Sequence, residues 1–311
     1  MTLQLDDDGT ALSVTEGTAP SAAGGGLEIL RYVYRPDNAQ FESPRPYFEP
    51  LRDLAGHQVS LYRPHDHVWH KGITLSLPNA GPENFWGGAT FRRGKGYVDE
   101  KNDGSMVHRE FTELAADEDG VKTVERLDWI TQDGRHFFSE TRAFAVTVLS
   151  DDTWVLSFST AFTNDTEDTV VMGSPTTEGR ENAGYGGFFW RGPRSFTEGR
   201  VYTADGEGGD ELMGVRGDWM AFRGAHDSVD AASTLVFTDH PENPGAPVKW
   251  FVRSTPFAAV CPAPFFDTEL PMAPGDTVTL RHAVAIVNGD TGVDGAAKTA
   301  ALAAAELAKL A

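Results

Sequence analysis

Cysteine is nearly absent from this chain. Cys261 is the only one in 311 residues, so no intrachain disulfide and no cysteine-based zinc knuckle can form. Its neighbours, Ala258-Ala259-Val260 and Pro262, are apolar, which reads as a small buried hydrophobe rather than a nucleophile. Long apolar runs are absent too. No stretch approaches the 18 residues of a membrane span, and the start, Met1-Thr2-Leu3-Gln4-Leu5-Asp6-Asp7-Asp8, has neither the basic nor the apolar part of a secretory leader. The expected compartment is the cytoplasm. Basic residues are scarce beside acidic ones, 26 against 46, giving a net charge of −20 and a pI near 4.7. Such a chain is repelled by nucleic-acid phosphates and anionic membranes, so neither is an expected partner. No dinucleotide-binding glycine fingerprint, phosphate-binding loop or fixed-period repeat is found.

What the chain does have is glycine (33), proline (18) and aromatic residues (11%), the composition of many short strands joined by tight turns. Alternating runs occur at 27–34, 121–130, 137–149, 154–162, 235–238, 248–253 and 278–287. Turn signals punctuate them at Asp133-Gly134, Asn164-Asp165, Asp205-Gly206 and Asn288-Gly289. Leu3-x-Leu5 and Leu12-x-Val14 flank Asp8-Gly9, an N-terminal hairpin, and Ser21 to Gly26 reads as a flexible connector. The three prolines between Phe41 and Pro50 predict an ordered loop. The expectation is one all-β domain over 1–311, a large antiparallel β-sandwich with its core at about 27–290. An alanine-rich helix over about 295–310 follows, capped by Asp294, with Leu302, Leu307 and Leu310 near one face.

Of nine histidines, His57, His108, His136 and His226 sit in turn-like or charged contexts that predict no role, and His282 lies in a strand. The dense cluster is Arg63-Pro64-His65-Asp66-His67-Val68-Trp69-His70-Lys71-Gly72. In a strand His65 and His67 point the same way, while His67 and His70 diverge unless the chain bends; Pro64 and Gly72 favour a bend. Imidazoles this close serve either as ligands of a divalent metal ion (His65, His67, His70) or as general acid and base. A second stretch, Glu178-Gly179-Arg180-Glu181-Asn182-Ala183-Gly184-Tyr185-Gly186-Gly187-Phe188-Phe189-Trp190-Arg191, joins carboxylates and arginines to glycines and an aromatic wall. That combination suits stacking on a sugar ring and forking onto vicinal hydroxyls. A third, Asp239-His240-Pro241-Glu242-Asn243-Pro244, leads through Trp250 to Arg253, and Asn84-Phe85-Trp86-Gly87-Gly88 offers a rim aromatic.

Those pieces, with Arg45-Pro46-Tyr47-Phe48-Glu49-Pro50-Leu51, Asp66-His67-x-x-His70-Lys71-Gly72, Glu178-Gly179 and the Trp219 neighbourhood, resemble a bacterial family of soluble proteins labelled methane oxygenase-like (PmoA-like). His65 and the Gly184–Phe189 stretch depart from that pattern. The label does not suit a chain without membrane spans. In strand pattern and size the family is similar to the galactose-mutarotase-like supersandwich, whose clefts bind sugars. The resemblance implies a carbohydrate-active enzyme that works on a sugar or keto-sugar by proton abstraction, as lyase, hydrolase or epimerase. In that reading His67 and His70 are acid, base or metal ligands, Glu178 is a partner base and His240 completes the catalytic set. Arg45, Tyr47, Trp86, Arg191, Asn243, Trp250 and Arg253 bind the carbohydrate. The rivals are a non-catalytic sugar-binding module and a cupin-like metal oxygenase on His65-x-His67. The oxygenase needs a carboxylate shortly downstream, and Glu83 is a poor one across Pro78 and Pro82.

Overall fold

The computed structural model describes residues 2–17, 26–118, 120–227 and 229–310; the expected connector, apart from Gly26, lies outside them. The alternating runs do form strands, and among the described residues every strand pair is antiparallel. Leu3–Asp7 and Ala11–Glu16 make the N-terminal hairpin and continue through Leu27–Val33, Tyr47–Leu51, Ile73–Ala80, Gly187–Arg191, Ala259–Ala263 and Lys249–Arg253 into one sheet. A second sheet runs Gly206–Gly208, Arg200–Thr203, Trp219–Ala225, Ala232–Asp239, Thr277–Asn288, Thr153–Asn164, His136–Ser150, Gly120–Ile130, Ser105–Asp117. The chain is thus an all-β sandwich with a C-terminal helix. None of its described helices is long and apolar enough to cross a membrane.

Two expectations shift. The 41–50 region is not loop throughout, since Tyr47–Leu51 pairs with Leu27–Val33 and joins the sheet. The helix spans Gly292–Leu307, starting earlier than Asp294, which falls in its first turn. Its buried face is Ala296, Ala300, Ala303 and Leu307, while Leu302 is 54% exposed. Small alanines let the helix lie close on Val155, Val236, Ala283 and Ala285 of the second sheet's outer face, so leucine spacing was the wrong guide to its orientation.

Between the sheets lies one large apolar cluster including Trp129, Trp154, Phe158, Phe188, Trp190 and Trp250. Each such side chain removed from water stabilises the fold by about 1.5–3 kcal/mol, offset by chain entropy. Because strand side chains alternate, Phe188 and Trp190 point into this core while Phe189 and Arg191 point out; likewise Trp250 and Val252 point in, Phe251 and Arg253 out. This corrects the expected role of Trp250. It is fully buried with its indole N–H on the Gly217 carbonyl at 2.8 Å, and it cannot touch a ligand outside the sheet.

His282 also faces inward, its ring stacked at 5.8 Å on Phe188 and its Nδ1 3.4 Å from Asp239. Burial holds this imidazole down to about 3, against an ordinary 6.5. The unfolded chain therefore binds the proton first as pH falls, and stability drops between pH 6.5 and about 3. Asp239, pushed up to about 6 by burial, opposes this below that pH, where the folded state takes the extra proton. Glu49 and Asp103, both pushed up to about 7 by burial, oppose it as well, so the His282 contribution shows as a difference between two proteins. Between about pH 7.5 and about pH 5 the urea midpoint of the wild type should fall more, or rise less, than that of His282→Leu. An equal change in both proteins would refute the assignment.

Candidate functional site

The outward-facing side of the first sheet carries a cleft of about 550 Å³. Phe189 and Phe251, delivered by the alternation just described, form its floor together with Trp86. Beneath them lies Cys261, buried as expected, its thiol pushed up to about 12 by burial and so kept protonated. Trp69, Tyr97, Tyr185 and Phe257 make the walls, and His67, His70, Arg180, Asn182 and Arg253 supply the polar groups.

The histidines arrive on a bent loop. The His67 N–H donates to Pro64 O at 3.0 Å, His70 N–H to His67 O at 2.9 Å, and Arg63 N–H closes the loop on His70 O at 2.9 Å. Arg191 N–H and Gly72 O, 2.8 Å apart, tie its base to the floor strand. The bend brings the His67 and His70 rings into a parallel stack, centroids 4.6 Å and planes 10° apart. Trp69 on the same loop packs against Gly87 and Gly88. Both have positive φ (+99° and +74°), and an added Cβ would lie within 3 Å of the Trp69 side chain at either position.

Arg191 organises the electrostatics. One of its terminal nitrogens donates to Asp66 Oδ2 at 2.8 Å and the other to His70 Nδ1 at 3.0 Å, and its guanidinium lies 3.9 Å from the centre of the Phe257 ring. Arginine only donates, so His70 accepts at Nδ1 and carries its proton on Nε2. Burial, helped by the neighbouring Arg191 and Arg45 charges, holds the His70 imidazole well below its usual range; the ring is neutral. Partial burial pushes the Asp66 carboxyl up, but hydrogen bonds from Arg191 and His67 outweigh it and keep the group ionised. Asp66 Oδ2 then accepts from His67 Nδ1 at 2.9 Å, leaving His67 Nε2 as a free lone pair in the neutral ring.

His65 does not join them. Its Nδ1 accepts from Arg194 at 2.7 Å, on the exposed side of Asp66. With His65 and His70 both protonated on Nε2, the three rings offer one free lone pair and no shared ligand point, which does not fit the expected His65–His67–His70 metal set. Among the described residues, the three ligating groups that do approach one another are Asp53, His57 and His226. Hydrogen bonds already occupy them, His57 Nδ1 to Asp53 at 3.1 Å and Ser233 Oγ to both Asp53 and His226 at 2.7 Å.

Other expected site residues lie elsewhere. The Glu178 carboxylate accepts the Arg93 backbone N–H at 3.3 Å and is not among the cleft-lining residues. His240 accepts the Glu242 N–H at 3.2 Å, and Asn243 ties Asp239 to the Arg281 carbonyl, bracing a loop away from the cleft. Buried Arg45 donates to Ser76 and to the Glu42, Ser43 and Trp69 carbonyls, so it sets the position of Trp69 without lining the cleft. Tyr47 stacks on Tyr62 at 5.2 Å. His67, His70, Trp86 and Arg253 do line the cleft, with Arg191 directly behind His70. Asp66, Asn182, Arg180, Tyr185 and Phe189 lay in segments the sequence flagged without a role for each; Tyr97 and Phe257 carried no signal at all.

If Arg191 holds the loop, Arg191→Met should leave the sheets intact while the His70 and Arg63 amides exchange with deuterium faster, by at least about tenfold for a loss of roughly 1.4 kcal/mol. Unchanged protection there would show that the backbone alone fixes the loop.

A search of curated proteins finds no match. Among solved structures, similarity is found to a heparan sulfate lyase HepC mutant from Pedobacter heparinus (6% identity, 93% of this chain, 35% of that one, TM-score 0.35). Others are a beta-arabinopyranosidase (9%, 84% and 39%, TM-score 0.37) and a protein of Synechocystis sp. PCC 6803 (9%, 93% and 96%, TM-score 0.35). The chain spans little more than a third of the first two. None of these matches carries a methane oxygenase-like name. Residues 21–301 match the model of DUF6807, a family of unknown function, and the chain belongs to that family.

Proposed function

We propose that this protein is a carbohydrate-active enzyme that removes a proton from carbon in a sugar or keto-sugar derivative, as a lyase or epimerase does. The observation that carries this reading is the Asp66–His67 pair at the mouth of an aromatic cleft, with Nε2 of His67 free. Flat rings at Trp86, Phe189 and Phe251 suit the apolar face of a pyranose, and Asn182, Arg180 and Arg253 at its edges suit oxygen substituents. His67 is the base. Neutral His70, with Nε2–H as its remaining donor, is suited to the oxyanion that builds up as the C–H bond breaks. No Asp or Glu is among the cleft's described lining residues, so the carboxylate pair used in most glycoside hydrolysis has no counterpart, which favours elimination or epimerisation.

Incubation in deuterium oxide with aldoses, methyl glycosides, their keto derivatives and uronic acids should put deuterium on one sugar carbon, read by NMR. His67→Ala should cut that rate about 10²–10⁴-fold and Asp66→Asn by a smaller factor, through loss of the tautomer, with ligand affinity little changed. Saturable binding without exchange would make the protein a sugar-binding module instead.

A further inference from the structure

We infer that the ligand carries a negative charge, and that its class is a carboxylate-bearing sugar such as a uronic acid. This deepens the carbohydrate reading above and rests on it. The molecule as a whole is strongly acidic, at −20. Its cleft is the reverse, with Arg180 and Arg253 among the lining residues and no acidic side chain among those described.

How these arginines are held matters as much as their presence. The Arg180 guanidinium lies 5.0 Å from the centre of the Tyr97 ring and donates to the Tyr97 hydroxyl, which is 2.9 Å from that of Tyr185. No carboxylate lies within ion-pair distance of Arg180 among the described residues. Arg253 lies 5.8 Å from the centre of the floor ring Phe251, and its one carboxylate, Asp210, is 3.8 Å away, a loose contact at the edge of ion-pair range. Aromatic faces orient both cations without cancelling their charge. Arg180, Arg253 and the Nε2–H of His70 are all donors. A neutral sugar's oxygens can accept from them but leave both guanidinium charges uncompensated, whereas an oxyanion accepts fork to fork and offsets the charge as well.

A carboxylate also completes the chemistry. The C–H bond next to it breaks, its proton passes to His67 Nε2, and the electron pair moves onto the carboxylate oxygens, where an arginine offsets the added charge. Delivery of a proton from solvent water to the opposite face inverts the carbon, and His67 gives up its own proton to solvent. Alternatively the β C–O bond breaks, its oxygen leaves with the proton that His67 took up, and a C=C bond forms. Neither route needs an oxidant or reductant.

The test is calorimetric titration of glucuronate, galacturonate, glucose, galactose and glucose 6-phosphate into the intact protein, at about 20 and about 200 mM salt. At least one uronate should bind about tenfold more tightly than its neutral sugar, the worth of one charge-assisted hydrogen bond, and weaken as salt rises. Arg180→Gln and Arg253→Gln should each shrink that ratio, while Arg126→Gln, on the exposed face of the second sheet, should not. Equal affinity for acid and neutral sugar overturns the proposal and leaves the carbohydrate reading standing. Stronger binding of glucose 6-phosphate than of either uronate overturns the carboxylate class. If none of the five binds at millimolar concentration, the carbohydrate reading falls and the proposal with it.

Discussion

The site depends on one guanidinium. Arg191 is at the end of a floor strand, with its side chain almost fully buried, and its guanidinium hydrogen-bonds both Asp66 and His70. A buried cation is costly unless paired, and here the pairing itself dictates the geometry. Asp66 must stay ionised and close by, and His70 must turn Nδ1 inward. The proton positions of both stacked rings follow from these two contacts. His67 ends as an acceptor and His70 as a donor, two unlike roles drawn from two identical side chains.

Strand rhythm was legible in the sequence because half-buried strands must alternate, and the strands over 121–130, 137–149, 154–162 and 278–287 emerged within one or two residues of their reading. The helix was placed less well. Its contact face is Ala296, Ala300 and Ala303, with Leu307 at its end; a hydrophobic reading ranks such alanines below leucines, although Leu302 faces water. Tyr47–Leu51 was missed as a strand because three prolines outweighed the alternation of its side chains.

The loop with the histidines was visible as a cluster, but not its wiring. Nothing in the order Arg63 to Gly72 says that a partner more than a hundred positions later, Arg191, will choose which ring nitrogen each histidine protonates. Spacing alone made His65 and His67 a pair, whereas a turn at each end of His67 pairs it with His70. Glu178, His240 and Asn243 share the residue types of an active site and serve as turn and loop braces. Only their hydrogen-bond partners reveal it. Arg180 and Arg253, by contrast, are defined by what lies under them, flat rings from distant segments, a relation that sequence proximity does not encode.

The odd and even positions of Gly187–Arg191 have separate employers. Phe188 and Trp190 belong to the interior, Phe189 and Arg191 to the cleft, and the same division splits Lys249–Arg253. The two sets of side chains are separated by the thickness of a single sheet. Descendants of this chain can therefore exchange floor residues, and with them ligand preference, without disturbing the packing that keeps the sandwich folded; selection on specificity and selection on stability act on different letters of the same strand.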